Sequence, residues 1–160
     1  MRIGVVADTH SRGIPQQLID DFAGVDLIIH AGDFCSFGDY EAFRKMGEIK
    51  AVAGNMDDAK LQKLLPQRQI FKCEGFAIGL CHSYGAPKAT LKNAQKEFKS
   101  NKVDIVIFGH SHLPTKEVLN NILYFNPGSP NDTVCAPYCS YGIIDLKDGK
   151  IVAKIKKVDV

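Results

Sequence analysis

Arg2-Ile3-Gly4-Val5-Val6-Ala7-Asp8-Thr9-His10 is the stretch on which the reading of this chain turns. A short β-branched run bounded by polar residues reads as a buried strand, and Asp8 and His10 follow at its carboxyl end. The arrangement recurs along the chain. Val25-Asp26-Leu27-Ile28-Ile29 leads to Gly32-Asp33, Ile49-Lys50-Ala51-Val52-Ala53 to Gly54-Asn55, and Phe76-Ala77-Ile78-Gly79-Leu80-Cys81 to His82. Val103-Asp104-Ile105-Val106-Ile107-Phe108 leads to Gly109-His110-Ser111-His112. Parallel sheets bind ligands beyond the carboxyl ends of their strands, and neighbouring strands lie only ~5 Å apart. Five groups of oxygen and imidazole donors can therefore meet in one crevice, the pattern of a two-metal hydrolytic site.

Between these runs the apolar period lengthens to that of helices. Ile14, Leu18, Ile19 and Phe22 predict a helix over 14–22, with Pro15 in its first turn. Ala42, Phe43 and Met46 predict a short helix over 40–46, and Leu91, Ala94 and Phe98 another within 87–99. Beyond His112 the pattern turns to strands at 115–119, 122–125, 139–146 and 150–158, with Asn120-Asn121 and Asp148-Gly149 as turns. The expected fold is α/β: a four-layer α-β-β-α sandwich of two mixed sheets flanked by helices. The strands before His112 would form a largely parallel first sheet, and those after it a mostly antiparallel second one.

A chain of 160 residues fits one domain, 1–160. With 45% hydrophobic and 24% charged residues it reads as globular, and a net charge of +2 is too small to mark a dedicated nucleic-acid binder. Lys154-Ile155-Lys156-Lys157 reads as a solvated edge strand. No apolar stretch is long enough to span a membrane, and Met1 runs straight into a core strand without room for a signal peptide, so a cytoplasmic protein is expected. Cys35, Cys73, Cys81, Cys135 and Cys139 are odd in number and form no CxxC pair, which argues against a disulfide framework. Most are expected to be small buried hydrophobes, with Cys35 near enough to Asp33 to face the site.

Taken in order, Val6-Ala7-Asp8-Thr9-His10-Ser11, His30-Ala31-Gly32-Asp33, Gly54-Asn55-Met56-Asp57, His82, Phe108-Gly109-His110-Ser111-His112 and Asn126-Pro127-Gly128-Ser129 resemble the motifs of the calcineurin-like metallophosphoesterase superfamily. The similarity is greatest to its small, single-domain bacterial and archaeal phosphodiesterase branch. The resemblance implies that Asp8, His10 and His112 hold one divalent metal, that Asn55, His82 and His110 hold the other, and that Asp33 bridges them. It also implies a phosphodiesterase in which a metal-bridging hydroxide attacks a phosphate ester in line, with Asp33, Asn55 and His110 at the catalytic centre. Mixed carboxylate and imidazole ligation suits manganese first, with nickel, iron or zinc as other candidates. Four positive charges against Asp8, Asp33 and one hydroxide leave a surplus for a phosphoryl oxygen to meet. The expected partner is a small phosphodiester, not a membrane or a nucleic acid, and self-association into a homo-oligomer is compatible with the reading.

Each residue also has a plainer reading. Asp8 and Asp33 could cap helices, and Asn55 could merely supply a left-handed turn. His30 matches no ligand position and is expected to be structural or to hydrogen-bond a ligand carboxylate. Two departures from the family pattern stand out. Many larger members have His directly after the metal-binding Asn, where it can protonate the leaving group, but here the residue is Met56. General-acid catalysis is commonly worth ~10²- to 10⁴-fold, so its loss favours esters with good leaving groups. The usual His-Gly pair is drawn out to His82-Ser83-Tyr84-Gly85, which brings Tyr84 to the mouth as a candidate stacking residue. Two other functions share this frame. The retromer scaffold subunit has the superfamily fold without a complete ligand set, and a nuclease would use the same metal centre on a nucleic acid.

Overall fold

The computed structural model describes residues 1–159. Its elements run β1 (Arg2–Val6), α1 (Gln16–Phe22), β2 (Leu27–His30), α2 (Phe37–Met46), β3 (Ile49–Ala51), α3 (Ala59–Leu64), β4 (Arg68–Cys73) and β5 (Phe76–Cys81). A 3-10 turn (Pro87–Ala89) then leads into α4 (Thr90–Phe98), followed by β6 (Ile105–Ile107), β7 (Thr115–Leu119), β8 (Ile122–Asn126), β9 (Ser140–Lys147) and β10 (Lys150–Lys157). Two five-stranded mixed sheets result, ordered β10-β9-β1-β2-β3 and β4-β5-β6-β8-β7.

Sheet membership differs from expectation. The five runs that end in candidate ligands do not share a sheet: β1, β2 and β3 pair in parallel in the first, while β5 and β6 pair in parallel in the second and β6 continues in parallel to β8. The β9–β10 hairpin returns to the first sheet, antiparallel beside β1, so neither sheet is purely parallel or antiparallel. A strand buried on both faces is apolar throughout, and that pattern carries no mark of which sheet it enters.

Local boundaries follow from capping. Helix α1 begins at Gln16 with Pro15 just outside it, and α2 begins at Phe37 because the Ser36 side chain accepts from the Asp39 amide. The short α3 and the edge strand β4 have no counterpart among the expected elements. Asp58 caps α3 by accepting from the Leu61 amide. Three tight hairpin turns each hold two successive residues at positive φ, Glu74 and Gly75 at 49° and 82°, Asn120 and Asn121 at 51° and 62°, and Asp148 and Gly149 at 52° and 68°. That geometry matches the right-handed twist of the strands it joins. Strand β10, with its lysines, is an edge strand as its composition suggested.

Apolar side chains form three bands that stack the layers. Ile3, Val5 and Ile29 of the first sheet meet Ile78, Ile105, Ile107 and Phe125 of the second, all fully buried. On the outer face of the first sheet, Val6 and Ile28 pack against Leu18, Phe22, Phe43 and Leu61 from the helices. On the far face of the second, Val106 and Phe108 pack against Ala94 and Phe98 of α4. At roughly 1.5–3 kcal/mol per buried side chain, these bands hold the sheets face to face and so fix the strand ends relative to one another. Among the described residues no helix is long and apolar enough to cross a membrane.

Candidate metal centre

Asp8, Asp33 and Asn55 lie just past β1, β2 and β3, and His82 and His110 just past β5 and β6. Two hydrogen bonds tie these two sets of loops together across the sandwich. The His110 amide donates to Asp8 Oδ2 at 3.0 Å, and His82 Nδ1 donates to the Ala31 carbonyl at 2.7 Å. Within each set, the Asp8 amide donates to the Gly32 carbonyl and the Gly109 amide to the His82 carbonyl.

The structure brings all seven expected ligand residues together. Asp8, His10 and His112 form one group whose donor atoms lie within 4.8 Å of one another, with His10 Nε2 3.1 Å from His112 Nε2. Asn55 Oδ1 lies 3.0 Å from His82 Nε2 and 3.1 Å from His110 Nδ1. Asp33 Oδ2 stands between the groups, 3.3 Å from His82 Nε2 and 3.7 Å from His10 Nε2. Asp8 reaches toward the second group as well, with Oδ1 3.9 Å from His82 Nε2.

The outward sides of the rings decide what the inward sides can do. A carbonyl oxygen can only accept, so His82 Nδ1 carries the proton it gives to Ala31, and His110 Nε2 carries the proton it gives to Gly85 at 3.0 Å. In their neutral forms both rings turn an acceptor inward, toward the Asn55 and Asp33 oxygens. His112 does likewise, because its Nδ1 faces Asp132 Oδ2 at 2.5 Å. Lone pairs that crowd together in this way need a positive charge among them. The titration behaviour reflects that demand, with protons supplying the charge. Burial pushes the Asp8 carboxyl up to about 7 against the pull of His82 and His112. Burial also disfavours a charged His82, yet its hydrogen bond to Asp33 and the Asp8 and Asp33 charges outweigh this and raise it to about 9. The donor set therefore fits divalent cations, and its mixed oxygen and nitrogen chemistry suits borderline metals.

The loops hold these side chains in strained conformations. Asp8, His10, Asp33, His110 and His112 all have positive φ, between 50° and 71°. Few residues other than glycine adopt this region, and such strain clusters at functional sites. Gly54 allows the closest approach, since a Cβ there would fall 2.1 Å from Asp33 Oδ1.

Two buried carboxylates had no assigned role in the sequence. Asp57 accepts from the Gly54, Asp33 and Cys35 amides, binding the loop after β3 to the loop after β2. Asp132, from the loop after β8, accepts from His112. A turn-rich segment such as Asn126–Asp132 gives no sign of such a role, and the one available signal was the general need of a metal-bound imidazole for an outer partner. From that segment, Asn126 Nδ2 donates to the Gly109 carbonyl and Ser129 Oγ to the Asp8 carbonyl, so it braces the ligand loops.

His30 does not bond a ligand carboxylate. Its Nδ1 accepts from the Gly32 amide, which leaves Nε2–H to donate to Thr9 Oγ1, and Thr9 in turn donates to Asp39. Buried and stacked on Phe34, it is held well below the usual imidazole range by desolvation. Cys81 and Cys139 are buried, but Cys35 and Cys73 are half-buried and Cys135 is exposed, so burial is not the common state of these thiols. Cys35 Sγ does face the site, 3.2 Å from His10 Nδ1, and burial together with the neighbouring Asp33 pushes it up to about 11, so it stays a thiol. Met56 and Tyr84 are exposed. Tyr84 lines a cavity of about 150 Å³ beside His82, together with Gln67, Ser83, Asn93 and Glu97.

The sequence model of the calcineurin-like phosphoesterase superfamily domain matches residues 1–149. This chain belongs to that superfamily. Among calcineurin-like relatives, a probable metallophosphoesterase of Methanocaldococcus jannaschii is 32% identical over 99% of this chain and 82% of its own length. A phosphodiesterase of the same organism is 30% identical over 92% of this chain and 94% of its own. The fold recurs in an archaeal phosphodiesterase structure, with a TM-score of 0.76, 23% identity and coverage of 98% of this chain and 100% of that one. It recurs also in the zinc complex of Vps29 from Entamoeba histolytica, with a TM-score of 0.75, 23% identity and coverage of 98% and 99%. Membership in a calcineurin-like family implies divalent metal ions and a hydrolase acting on phosphate esters.

Proposed function

We propose that this chain, read as one domain over 1–160, is a phosphodiesterase with a dinuclear metal centre. Asp8, His10 and His112 hold one ion, Asn55, His82 and His110 hold the other, and Asp33 bridges them. The observation that carries the reading is the inward convergence of acceptors, with the ring protons of His82 and His110 held outside by Ala31 and Gly85. Two divalent ions so placed supply positive charge for the phosphoryl oxygens and lower the pKa of a bound water.

The chain's own residues do the rest. Asp33 accepts from the Met56 amide at 2.8 Å, which fixes the bridging carboxylate, and Asn55 adds a neutral oxygen that leaves charge for the substrate. Met56 cannot donate a proton, so the preferred substrates are small diesters with good leaving groups. Manganese is the expected metal, with nickel, iron and zinc as competitors, and the cytoplasm the expected setting.

Purified protein stripped of metal and then titrated with manganese should hydrolyse bis-p-nitrophenyl phosphate, and Asp33→Asn or His110→Ala should abolish turnover. Full turnover in either variant would sink the assigned site. Uptake of less than one equivalent of metal without activation would turn the reading toward a protein-interaction scaffold of the kind this fold can also support.

A further inference from the structure

The four imidazoles of the centre do not have equivalent outer partners. His82 and His110 donate to backbone carbonyls, of Ala31 and Gly85, and His10 faces the Cys35 thiol. Only His112 meets a carboxylate, Asp132, whose side chain is almost fully buried. Asp132 is itself held in place. Its Oδ1 accepts from the Val134 and Cys135 amides at 2.9 and 3.0 Å, its own amide donates to Ser129 Oγ at 3.2 Å, and Ser129 donates to the Asp8 carbonyl. One oxygen is thus committed to the turn and the other to His112.

We propose that Asp132 is a positioning residue that locks the His112 proton on Nδ1, presents Nε2 to the metal, and makes the Asp8–His10–His112 position the tighter of the two. This inference rests on the dinuclear reading above. The charge distribution points the same way. That position has Asp8 as a ligand, Asp33 shared, and Asp132 one bond behind. The other has only the shared Asp33 together with neutral Asn55, His82 and His110. Outer carboxylates of this kind orient a ligating imidazole and raise its basicity, and losing one typically costs ~10- to 100-fold in metal affinity.

Asp132→Asn is the informative substitution because it keeps the shape. The remaining Oδ1 still accepts from Val134 and Cys135, while the amide that replaces Oδ2 can only donate to His112 Nδ1 and so drives the proton to Nε2. Metal-free and manganese-titrated protein would be followed by paramagnetic resonance, and the His112 tautomer by ¹⁵N shifts of the ring nitrogens. Wild type should show the Nδ1–H form, and its first equivalent should give an isolated-ion signal before the coupled pair appears. Asp132→Asn should invert the tautomer and weaken the first binding step ~10- to 100-fold at an unchanged melting temperature, and Asp132→Glu should recover part of the affinity. Wild-type protein with His112 protonated on Nε2 overturns the proposal, as does an Asn variant that binds its first ion as tightly as wild type. If the Asn variant proves unstable, Asp132→Glu and Asp132→Ala decide together, and a Glu variant that binds its first ion no more tightly than the Ala variant overturns the proposal. Failure of wild type to bind manganese at all would instead overturn the dinuclear reading.

Discussion

The two sheets contribute different chemistry to the rim they share. Loops of the first supply Asp8, His10, Asp33 and Asn55, hence both carboxylates and the amide oxygen, whereas loops of the second supply the imidazoles His82, His110 and His112. The first wall carries the carboxylates with one imidazole, and the second offers only nitrogen donors. Neither half contains a complete donor set, so the centre exists only where the sheets pack. Its geometry is governed by the apolar seam between them as much as by the loops. The cross-sheet bonds from His110 to Asp8 and from His82 to Ala31 turn that packing into a fixed separation of a few ångströms.

The contrast can be broken most severely on the carboxylate wall. Gly54→Ala would place a methyl group within 2.1 Å of Asp33 Oδ1, and because the close contacts include backbone as well as side chain, the carboxylate proposed to bridge must move. Diesterase turnover should fall to background while circular dichroism stays native, and wild-type turnover in this variant would show that Asp33 tolerates displacement. The seam comes next. Phe125→Ala removes a fully buried ring from between the sheets and should cost ~3–5 kcal/mol, read as a lower urea midpoint. Metal affinity should weaken with it, since the two walls lose their common support. Unchanged affinity in folded Phe125→Ala protein would mean that the loops hold the rim unaided.

The smallest effect lies away from the rim, on the outer side of the first sheet. Tyr141 donates to Asp21 and, against a minor desolvation cost, holds its carboxyl below the ordinary 3.8. A lowered folded-state value adds stability that is present above that ordinary value and lost as pH falls through the folded one. Asp21→Asn should therefore lower stability near neutral pH by under ~1 kcal/mol and flatten the acid limb of the unfolding curve, with turnover untouched. An acid limb as steep as that of wild type would assign the acid sensitivity to other carboxylates.

How far the sequence discloses this architecture depends on what each feature needs from distant parts of the chain. Asp8, Asp33 and His110 are visible because each stands directly after an apolar run, a purely local pattern. The assignment of β5 and β6 to the second sheet is not local, since Ile105-Val106-Ile107 would look the same in either. Strand β4 is masked by Ile70, an exposed apolar residue that breaks the alternation of Arg68–Cys73. Asp132 is hidden because its meaning comes from His112, twenty residues earlier, and its own neighbours read only as a turn. For His30 two roles were expected, structural or bonding to a ligand carboxylate, and the structural one holds. Its place beside Asp33 suggested service to a ligand, whereas its partners are Thr9 and a backbone amide.

The left-handed backbone at Asp8, His10, Asp33, His110 and His112 has a consequence for how this fold can change over time. Side chains in that region cost up to ~1–2 kcal/mol each, a penalty glycine escapes. Replacing any of these residues with glycine would relax the chain while deleting a proposed ligand, so on the proposed reading losing the metals is the energetically easy direction for this frame. On that reading, loss of the metals leaves a more relaxed sandwich, and a protein-binding scaffold of this fold can arise by subtraction alone.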